Sequence, residues 1–173
     1  MHNVLRMLKG LKRHGLIEDY ALYGATAVAM YEEAISTMDV DVMVAVSGNA
    51  IVVDMTPIYA YCRKQGYKIK GHHVIIDGIP VDIMVVPEHG LLAEAFASAA
   101  DKKTGNGEET IRVFTKEHLI AIALSVGRAK DLYKVQMLSK CKEPSAKLRD
   151  VLTRYSLLGR YYAYCEAQKA FSR

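Results

Sequence analysis

Apolar residues recur along this chain with two spacings, which separate predicted helices from predicted strands. Near the N-terminus, Val4, Leu8 and Leu11 have helical spacing, so residues 1–15 are predicted to form an amphipathic helix packed on the domain. Short runs rich in valine and isoleucine are typical of buried strands. The elements predicted next are a strand over residues 20–23, a helix over 27–34, a strand over 39–46 and two strands within 74–86.

The segment from residue 74 to residue 86 has the pattern of a β-hairpin. Asp77-Gly78 separates two apolar runs, and this dipeptide favours the tight turn that joins antiparallel strands. Pro80 fits at the beginning of the second strand, where no ladder donor is lost. The chain after about residue 87 is predicted to be mostly helical, with the polar residues 101–110 forming a loop.

Two aspartates, Asp39 and Asp41, stand in the apolar run over residues 39–46. Strands avoid aspartate because its short side chain hydrogen-bonds to nearby backbone. Side chains of a strand alternate, so both carboxylates share one face and their Cα atoms are roughly 6–7 Å apart. Two carboxylates directed at one point suit a hard cation such as Mg²⁺, which indicates metal-dependent phosphate chemistry. Solvated residues at a strand end are the alternative interpretation.

A third aspartate, Asp82, lies in the second strand of the predicted hairpin, with Val81 and Ile83 on the opposite face. The alternative interpretation is a charge on an edge strand, which would block edge-to-edge aggregation. Together with the Asp39–Asp41 pair, Asp82 favours a shared site.

Glycine and small residues follow the first predicted strand. Gly24, Ala25 and Thr26 lie where that strand breaks and a helix begins. The free N–H groups of a helix start, together with the helix dipole, favour phosphate. An ordinary tight turn is the alternative, but the nearby aspartates favour the phosphate interpretation.

These motifs resemble the nucleotidyltransferase fold of the polymerase-beta-like superfamily. The resemblance rests on Gly24-Ala25-x-Ala27 after a strand, Thr37-x-Asp39-x-Asp41, and Asp82 on a later strand. In the C-terminal half, residues 111–121 and the motif Gly127-Arg128-Ala129-Lys130-Asp131-Leu132 resemble the AbiEii-like group of abortive-infection toxins and related small bacterial nucleotidyltransferases. The resemblance covers roughly residues 20–138.

The resemblance implies an α/β fold, a small mixed sheet with flanking helices, and transfer of a nucleoside monophosphate from a nucleoside triphosphate to an acceptor hydroxyl. Two Mg²⁺ ions would clamp the attacking and leaving oxygens. The resemblance implies that Asp39 and Asp41 bind the triphosphate-bound metal and that Asp82 joins them around the acceptor-side metal. It implies that the β/γ-phosphates are held by Gly24, Ala25 and Thr26. Lys130 would contact phosphate or acceptor, and Asp131 would position Lys130 or substrate.

Several positions depart from the family pattern. Ala25 replaces a frequent glycine or serine, and Ile35 replaces an arginine two residues before the threonine. Ala123 stands where a helix lysine is common, and Lys134 stands where a further aspartate is common. A degenerate, non-catalytic member that binds nucleotide or a protein partner therefore stays open as an alternative.

Charge is concentrated in the last 35 residues, which hold eight basic and three acidic side chains and four tyrosines. We divide the chain into a nucleotidyltransferase-like domain, 1–138, and a basic helical extension, 139–173, packed on it. Arginine interleaved with tyrosine suits single-stranded RNA, so RNA or tRNA is a candidate acceptor. The alternative is an apolar stripe of Leu148, Val151 and Leu152 packed on the core with the charges solvated.

Other features limit the function. No apolar run approaches the roughly 18 residues that span a membrane, and no P-loop is present. The three cysteines are an odd number without metal-ligand spacing, which predicts reduced thiols in a cytoplasmic protein. His72 and His73 are adjacent and, if both lie on a strand, face opposite sides and cannot share a metal.

The predicted function is thus a metal-dependent nucleotidyltransferase that uses a nucleoside triphosphate. A toxin-like enzyme acting on RNA, with an antitoxin as partner, is one form of this hypothesis. A small-molecule nucleotidyltransferase of the kind that modifies antibiotics is another. Salt-sensitive affinity for RNA would favour the first over the second, because counterion release marks binding to a polyanion.

Overall fold

The computed structural model describes residues 1–32, 37–47, 54–104, 107 and 109–171. The described residues form eight helices and one seven-stranded sheet. The helices are α1 His2–Arg13, α2 Gly24–Ala29, α3 Thr56–Lys64, α4 Leu91–Ala97, α5 Lys116–Val126, α6 Ala129–Ser139, α7 Ala146–Arg154 and α8 Leu158–Phe171. The strands are β1 Asp19–Leu22, β2 Val40–Ala45, β3 Lys68–Lys70, β4 His73–Ile76, β5 Ile79–Val85, β6 Ala100–Lys103 and β7 Thr110–Val113.

The sheet is mixed, with strand order β3-β4-β5-β2-β1-β7-β6. Its central pair, β2 and β5, is parallel, whereas β1 runs antiparallel to β2 and parallel to β7. Val42, Met43 and Val44 are all fully buried, so both faces of β2 are covered, as a continuous apolar run in a central strand requires. The predicted α/β class with a mixed sheet and flanking helices is confirmed.

The predicted hairpin is confirmed, with β4 and β5 joined by Asp77-Gly78. Both turn residues have positive φ, 53° and 81°, as the favoured two-residue hairpin turn requires. Asn3 of α1 donates its side-chain N–H to Asp77 Oδ2 at 2.6 Å, which ties the turn to the N-terminal helix. The edge-strand interpretation of Asp82 is wrong, because β5 lies between β4 and β2.

The N-terminal amphipathic helix is confirmed as α1, whose apolar side, including Val4, Leu8 and Leu11, is buried. The prediction of a mostly helical chain after residue 87 is wrong in one part. Residues 101–103, predicted as loop, belong to β6, which pairs with β7 at the edge of the sheet. Ile111 and Val113 of β7 point into the core, and this alternation fixes the strand pair. Positions 105, 106 and 108 of the connection lie outside the described residues.

The helices α6 and α7 pack against α5, and α8 packs against α7. Thr115 caps α5 because its hydroxyl accepts the His118 N–H, and Ser145 caps α7 by accepting the Leu148 N–H. Leu148, Val151 and Leu152 of α7 are buried, so the predicted apolar stripe on the core is confirmed.

Glu94 of α4 joins three helices through its carboxylate. It accepts hydrogen bonds from His118 Nε2 of α5 at 3.1 Å, from Arg154 Nη2 of α7 at 2.5 Å, and from the Tyr155 hydroxyl at 2.7 Å. Burial alone would raise the pKa of Glu94, but these three donors outweigh it and lower the pKa to about 2. We call Glu94 with these three partners the helix clamp.

Candidate active site

The candidate site begins with a row of polar side chains that crosses the centre of the sheet. Asp41 of β2 and Asp82 of β5 are direct partners on parallel neighbouring strands, so their side chains share a face. Tyr23 extends the row on the far side of Asp41, where its N–H donates to the Asp41 carbonyl at 3.2 Å. Its hydroxyl reaches Asp82 Oδ2 at 3.5 Å. Register alone therefore brings together carboxylates that are 41 positions apart in the chain.

Gly24 allows the chain to pass directly against Asp41. Its φ is +60°, and a β-carbon built there would overlap Oδ2 and Cγ of the Asp41 carboxylate. The next residue, Ala25, donates its backbone N–H to Asp41 Oδ2 at 2.9 Å. Glycine is required here for both reasons, left-handed backbone and close approach.

Asp39 lies in a bend just before β2 rather than inside the strand. Thr37 donates its hydroxyl to Asp39 Oδ1 at 2.7 Å, and Thr26 donates to the Asp39 carbonyl at 3.2 Å. The Thr26 hydroxyl also accepts the Asp41 N–H at 2.9 Å. Buried Thr26 thus fixes the backbone between the two aspartates.

The three aspartates concentrate negative charge around this row of side chains. Burial raises the pKa of Asp41 most, the Ala25 N–H opposes it, and the Asp39 charge raises it further. The pKa of Tyr23 is also raised, first by burial and then by the charges of Asp82, Asp41 and Asp39. All three carboxylates therefore act on one phenol.

A cavity of about 670 Å³ opens beside Asp39 and Asp41. Its volume lies within the range of about 300–1,000 Å³ that is typical of small-molecule sites. The sheet side is formed by residues 23–25 with the two aspartates and Met84. The opposite wall comes from the helices and comprises Leu92, Leu119, Ile122, Ala123, Val126, Arg128, Lys130, Asp131, Tyr133 and Lys134.

The helical wall carries the positive charge. Asp131 is buried and forms ion pairs with Arg128 Nε at 2.7 Å and with Lys134 Nζ at 3.0 Å. Burial opposes ionisation of Asp131, but these two cations lower its pKa. Lys134 also lowers the pKa of Asp41 across the cavity, so its ammonium group serves both walls. Lys130 is exposed on the same wall.

Asp39 and Asp41 both line the cavity, where carboxylate oxygens suit a divalent cation. Among the described residues, Asp39, Asp41 and Asp82 do not form a group whose ligand atoms all lie within 4.8 Å of one another. All three aspartates are nevertheless oriented by neighbouring residues. Each one has a carboxylate oxygen held by a protein donor: Asp39 by Thr37, Asp41 by Ala25, and Asp82 by Tyr23. Orientation by such partners is what metal ligands require, and carboxylate oxygen is the donor that Mg²⁺ prefers.

Two of the predicted phosphate contacts are differently employed. The Ala25 N–H bonds to Asp41, and the Thr26 hydroxyl bonds to backbone at Asp39 and Asp41. These groups position the carboxylates in this structure. Asp131 likewise pairs with Arg128 and Lys134, and not with Lys130, because adjacent helix residues do not face each other. Position 35, where the family pattern has arginine, lies outside the described residues.

Sequence reasoning missed two residues of the site. Tyr23 was treated only as the end of a strand, although it directly precedes Gly24. Lys134 was treated only as a departure from the family pattern. The signal for Lys134 is its position one helical turn after Lys130, which places both cations on one face of α6.

The prediction that His72 and His73 cannot share a metal is wrong. His72 lies in the turn before β4, so strand alternation does not apply to it. The two rings are in contact, with centroids 3.9 Å apart and their planes tilted by 38°. One nitrogen of each imidazole and one oxygen of Asp82 all lie within 4.8 Å of one another.

Two solved structures resemble this chain over nearly its whole length. One is an antigenic nucleotidyltransferase-like protein from Paracoccidioides brasiliensis, with a TM-score of 0.53, 15% identity, and coverage of 93% of this chain and 89% of that chain. The chain has the nucleotidyltransferase fold. The other structure is the antibiotic-resistance factor ANT(2'')-Ia, with a TM-score of 0.50, 11% identity, and coverage of 97% and 96%. At these identities the likeness establishes the fold alone.

The sequence matches no protein-family model and no curated protein. The narrower resemblance to the AbiEii-like group therefore stays a prediction. Within the nucleotidyltransferase fold seen here, the described helices include none that is long and apolar enough to cross a bilayer.

Proposed function

We propose that this protein is a metal-dependent nucleotidyltransferase that moves a nucleoside monophosphate from a nucleoside triphosphate to an acceptor hydroxyl. The observation that carries the proposal is the pairing of Asp41 with Asp82 across parallel strands, with Gly24 packed against the Asp41 carboxylate. A stability requirement does not explain this arrangement, because burial and the Asp39 charge raise the pKa of Asp41, which makes its ionised form costly.

Asp39, Asp41 and Asp82 would hold the divalent cations, Mg²⁺ in the first instance. Bound there, the cations supply charge neutralisation at the transferring phosphoryl group and at the attacking hydroxyl. Ala25 and Thr26 keep the aspartates oriented. Because their polar groups are used in this way, we assign the triphosphate mainly to the cations of the helical wall.

Lys130 and Lys134 are the side chains we assign to the triphosphate. Both line the cavity opposite the aspartates, and a cation aimed at developing negative charge stabilises the transition state. Asp131 holds Lys134 in place through the ion pair at 3.0 Å. Lys134 thereby supplies a positive charge to the wall on which Ala123 replaces the helix lysine of the family pattern.

For the acceptor we favour a small hydroxyl-bearing molecule over RNA. Apolar side chains of Leu92, Ile122 and Val126 enclose one side of the cavity, as small-molecule sites require. The groups predicted to bind RNA are used internally: Arg154 binds Glu94 and Asp150, and Arg160 donates to the Leu124 carbonyl at 3.2 Å. The RNA acceptor and the antitoxin partner stay predictions that the same assay tests.

The assay incubates full-length protein with Mg²⁺, each labelled nucleoside triphosphate, and either total RNA or a panel of hydroxylated small molecules that includes antibiotics. We expect label on a small molecule, and no label with Asp41→Asn. Label on a discrete RNA band, lost at raised salt, would instead establish the RNA acceptor.

A binding measurement separates an inactive enzyme from a wrong site. Mg²⁺ with a nucleoside triphosphate should stabilise the fold by about 2.7 kcal/mol at a hundredfold excess over its dissociation constant. Stabilisation without transfer to any acceptor would favour the non-catalytic member. An equal thermal shift in the Asp39→Asn, Asp41→Asn double variant would remove the carboxylate site from consideration.

A further inference from the structure

A second cluster of metal-binding side chains lies on the other side of Asp82. His73 of β4 is the direct antiparallel partner of Asp82, so the two side chains lie next to each other on one face of the sheet. Asp82 therefore has Asp41 on one neighbouring strand and His73 on the other.

His72 joins this cluster because of the turn between β3 and β4. Lys70 pairs with His73, which leaves Gly71 and His72 as a two-residue hairpin loop. Gly71 has a φ of +62°, and glycine at the first loop position is typical of the type II′ turn. The Tyr59 hydroxyl donates to the His72 carbonyl at 3.1 Å and anchors the loop to α3. The imidazole of His72 is thereby free of strand alternation and lies against that of His73, with ring centroids 3.9 Å apart.

We propose that His72, His73 and Asp82 form a binding site for a divalent transition-metal ion of the zinc class. Their ligand atoms lie within 4.8 Å of one another. Two ligands on a tetrahedral ion with bonds of about 2.0–2.1 Å are about 3.3 Å apart, so modest side-chain rotation closes the site. Exposure of His72 permits that rotation. Neither imidazole hydrogen-bonds to another side chain within the described residues.

The donor set separates this site from the all-carboxylate site. Imidazole nitrogen suits zinc, cobalt, nickel and iron, whereas Mg²⁺ prefers oxygen alone. Two histidines and one carboxylate leave a coordination position open, which is the form that catalytic zinc sites take. Asp82 has two carboxylate oxygens, with Asp41 on one neighbouring strand and His73 on the other. The all-carboxylate site and the histidine site are therefore adjacent along one row of the sheet.

The test is metal binding by the full-length protein, with Co²⁺ followed by its visible absorption and Zn²⁺ by competition calorimetry. We expect one Co²⁺ ion per chain to be bound through imidazole, and His72→Ala and His73→Ala should each weaken that binding at least about tenfold. His89→Ala is the matched control, since His89 is exposed and its nearby carboxylate belongs to the adjacent residue Glu88. That control should bind as the unchanged protein does.

Three outcomes would overturn the proposal: equal binding by the His72→Ala, His73→Ala double variant, an equal loss in His89→Ala, or thiolate-to-cobalt absorption that places the ion on cysteine. Failure here is distinguishable from failure of the proposed function. Asp41→Asn should abolish the thermal shift given by Mg²⁺ with nucleotide and retain Co²⁺ binding, whereas the double histidine variant should do the reverse.

Discussion

Two carboxylates of this protein, Asp41 and Glu94, are partly buried within the same fold and have opposite electrostatic surroundings. Glu94 has three hydrogen-bond donors from two other helices and the residue after α7, and its pKa falls to about 2. Asp41 has two backbone donors, the N–H groups of Ala25 and Thr26, and a neighbouring negative charge, Asp39, and its pKa rises. Burial opposes ionisation of both. At Glu94 the donors outweigh burial, whereas at Asp41 burial and the Asp39 charge outweigh the donors. The Glu94 carboxylate joins helices through three donors, one of them the Arg154 guanidinium, whereas the ionised form of Asp41 is disfavoured and would be stabilised by a bound cation.

Among the variants that test this comparison between Asp41 and Glu94, Asp41→Asn should have the largest effect, and that effect is on activity. Removing one cation ligand should lower kcat/KM by about 10²–10³-fold, because stabilisation of charge at the transferring group is lost. The measurement is steady-state transfer of labelled nucleotide to acceptor. A variant within about threefold of the unchanged protein would remove Asp41 from the site.

The same variant should be more stable than the unchanged protein at neutral pH. A raised pKa means that ionised Asp41 costs stability above that pKa, and the cost disappears as pH falls below the ordinary value of 3.8. Asparagine is neutral at every pH, so the gain should be present at pH 7 and absent in acid. Denaturant unfolding at both pH values measures it, and a loss of stability at pH 7 would contradict the comparison.

The next effect is that of Glu94→Ala on stability. Loss of the acceptor for His118, Arg154 and Tyr155 should cost about 2–3 kcal/mol, because charged hydrogen bonds are removed and their donors lose their partner. A depressed pKa gives stability that is complete above the unfolded value of 4.5 and is lost as pH falls toward 2. The difference between variant and unchanged protein should therefore shrink over that range.

Glu88→Ala is the control for the helix clamp. The Glu88 side chain is 82% exposed, so its removal should change the free energy of unfolding by less than about 0.5 kcal/mol. Equal destabilisation by the two variants would mean that the hydrogen bonds of Glu94 are not what joins α4 to α5 and α7.

A smaller effect is expected for Lys134→Met, which removes the cation shared by the two walls of the cavity. The variant should raise the KM for nucleoside triphosphate about tenfold and raise the pKa of Asp41 further, since Lys134 now lowers it. Lys147→Met, at an exposed lysine of α7, is the control and should leave KM unchanged. If both variants behave alike, the triphosphate does not use the helical wall.

The smallest effect is expected from the basic C-terminal surface. Lys140→Glu with Lys169→Glu should change acceptor modification by less than about twofold, because both residues lie apart from the cavity that contains Asp41. Initial rates at two salt concentrations measure this. A strong loss at low salt, with the salt dependence reduced by about one per lysine, would restore RNA as the acceptor.

Whether a part of the site can be predicted from the sequence depends on how far apart along the chain the interacting residues lie. The alternation of valines with Asp41, and of Val81 and Ile83 with Asp82, is local, and it correctly placed both carboxylates on polar faces of strands. The parallel pairing of β2 with β5 is not local, because register depends on how the whole sheet assembles. Lys134 and the histidine pair were missed for related reasons. Lys134 reaches Asp41 only through the packing of α6, and His72 is released from alternation by a turn at Gly71.

The distribution of the two cavity walls along the chain has a consequence for biosynthesis. All three aspartates precede Lys130 and Lys134, and Asp82 is 52 positions before Lys134. At about 5–20 residues per second, the ribosome makes the negative wall roughly 3 to 10 s before the positive one. The nascent chain thus carries uncompensated carboxylates until α6 emerges. A cation in the surrounding medium is then the first partner these aspartates can meet.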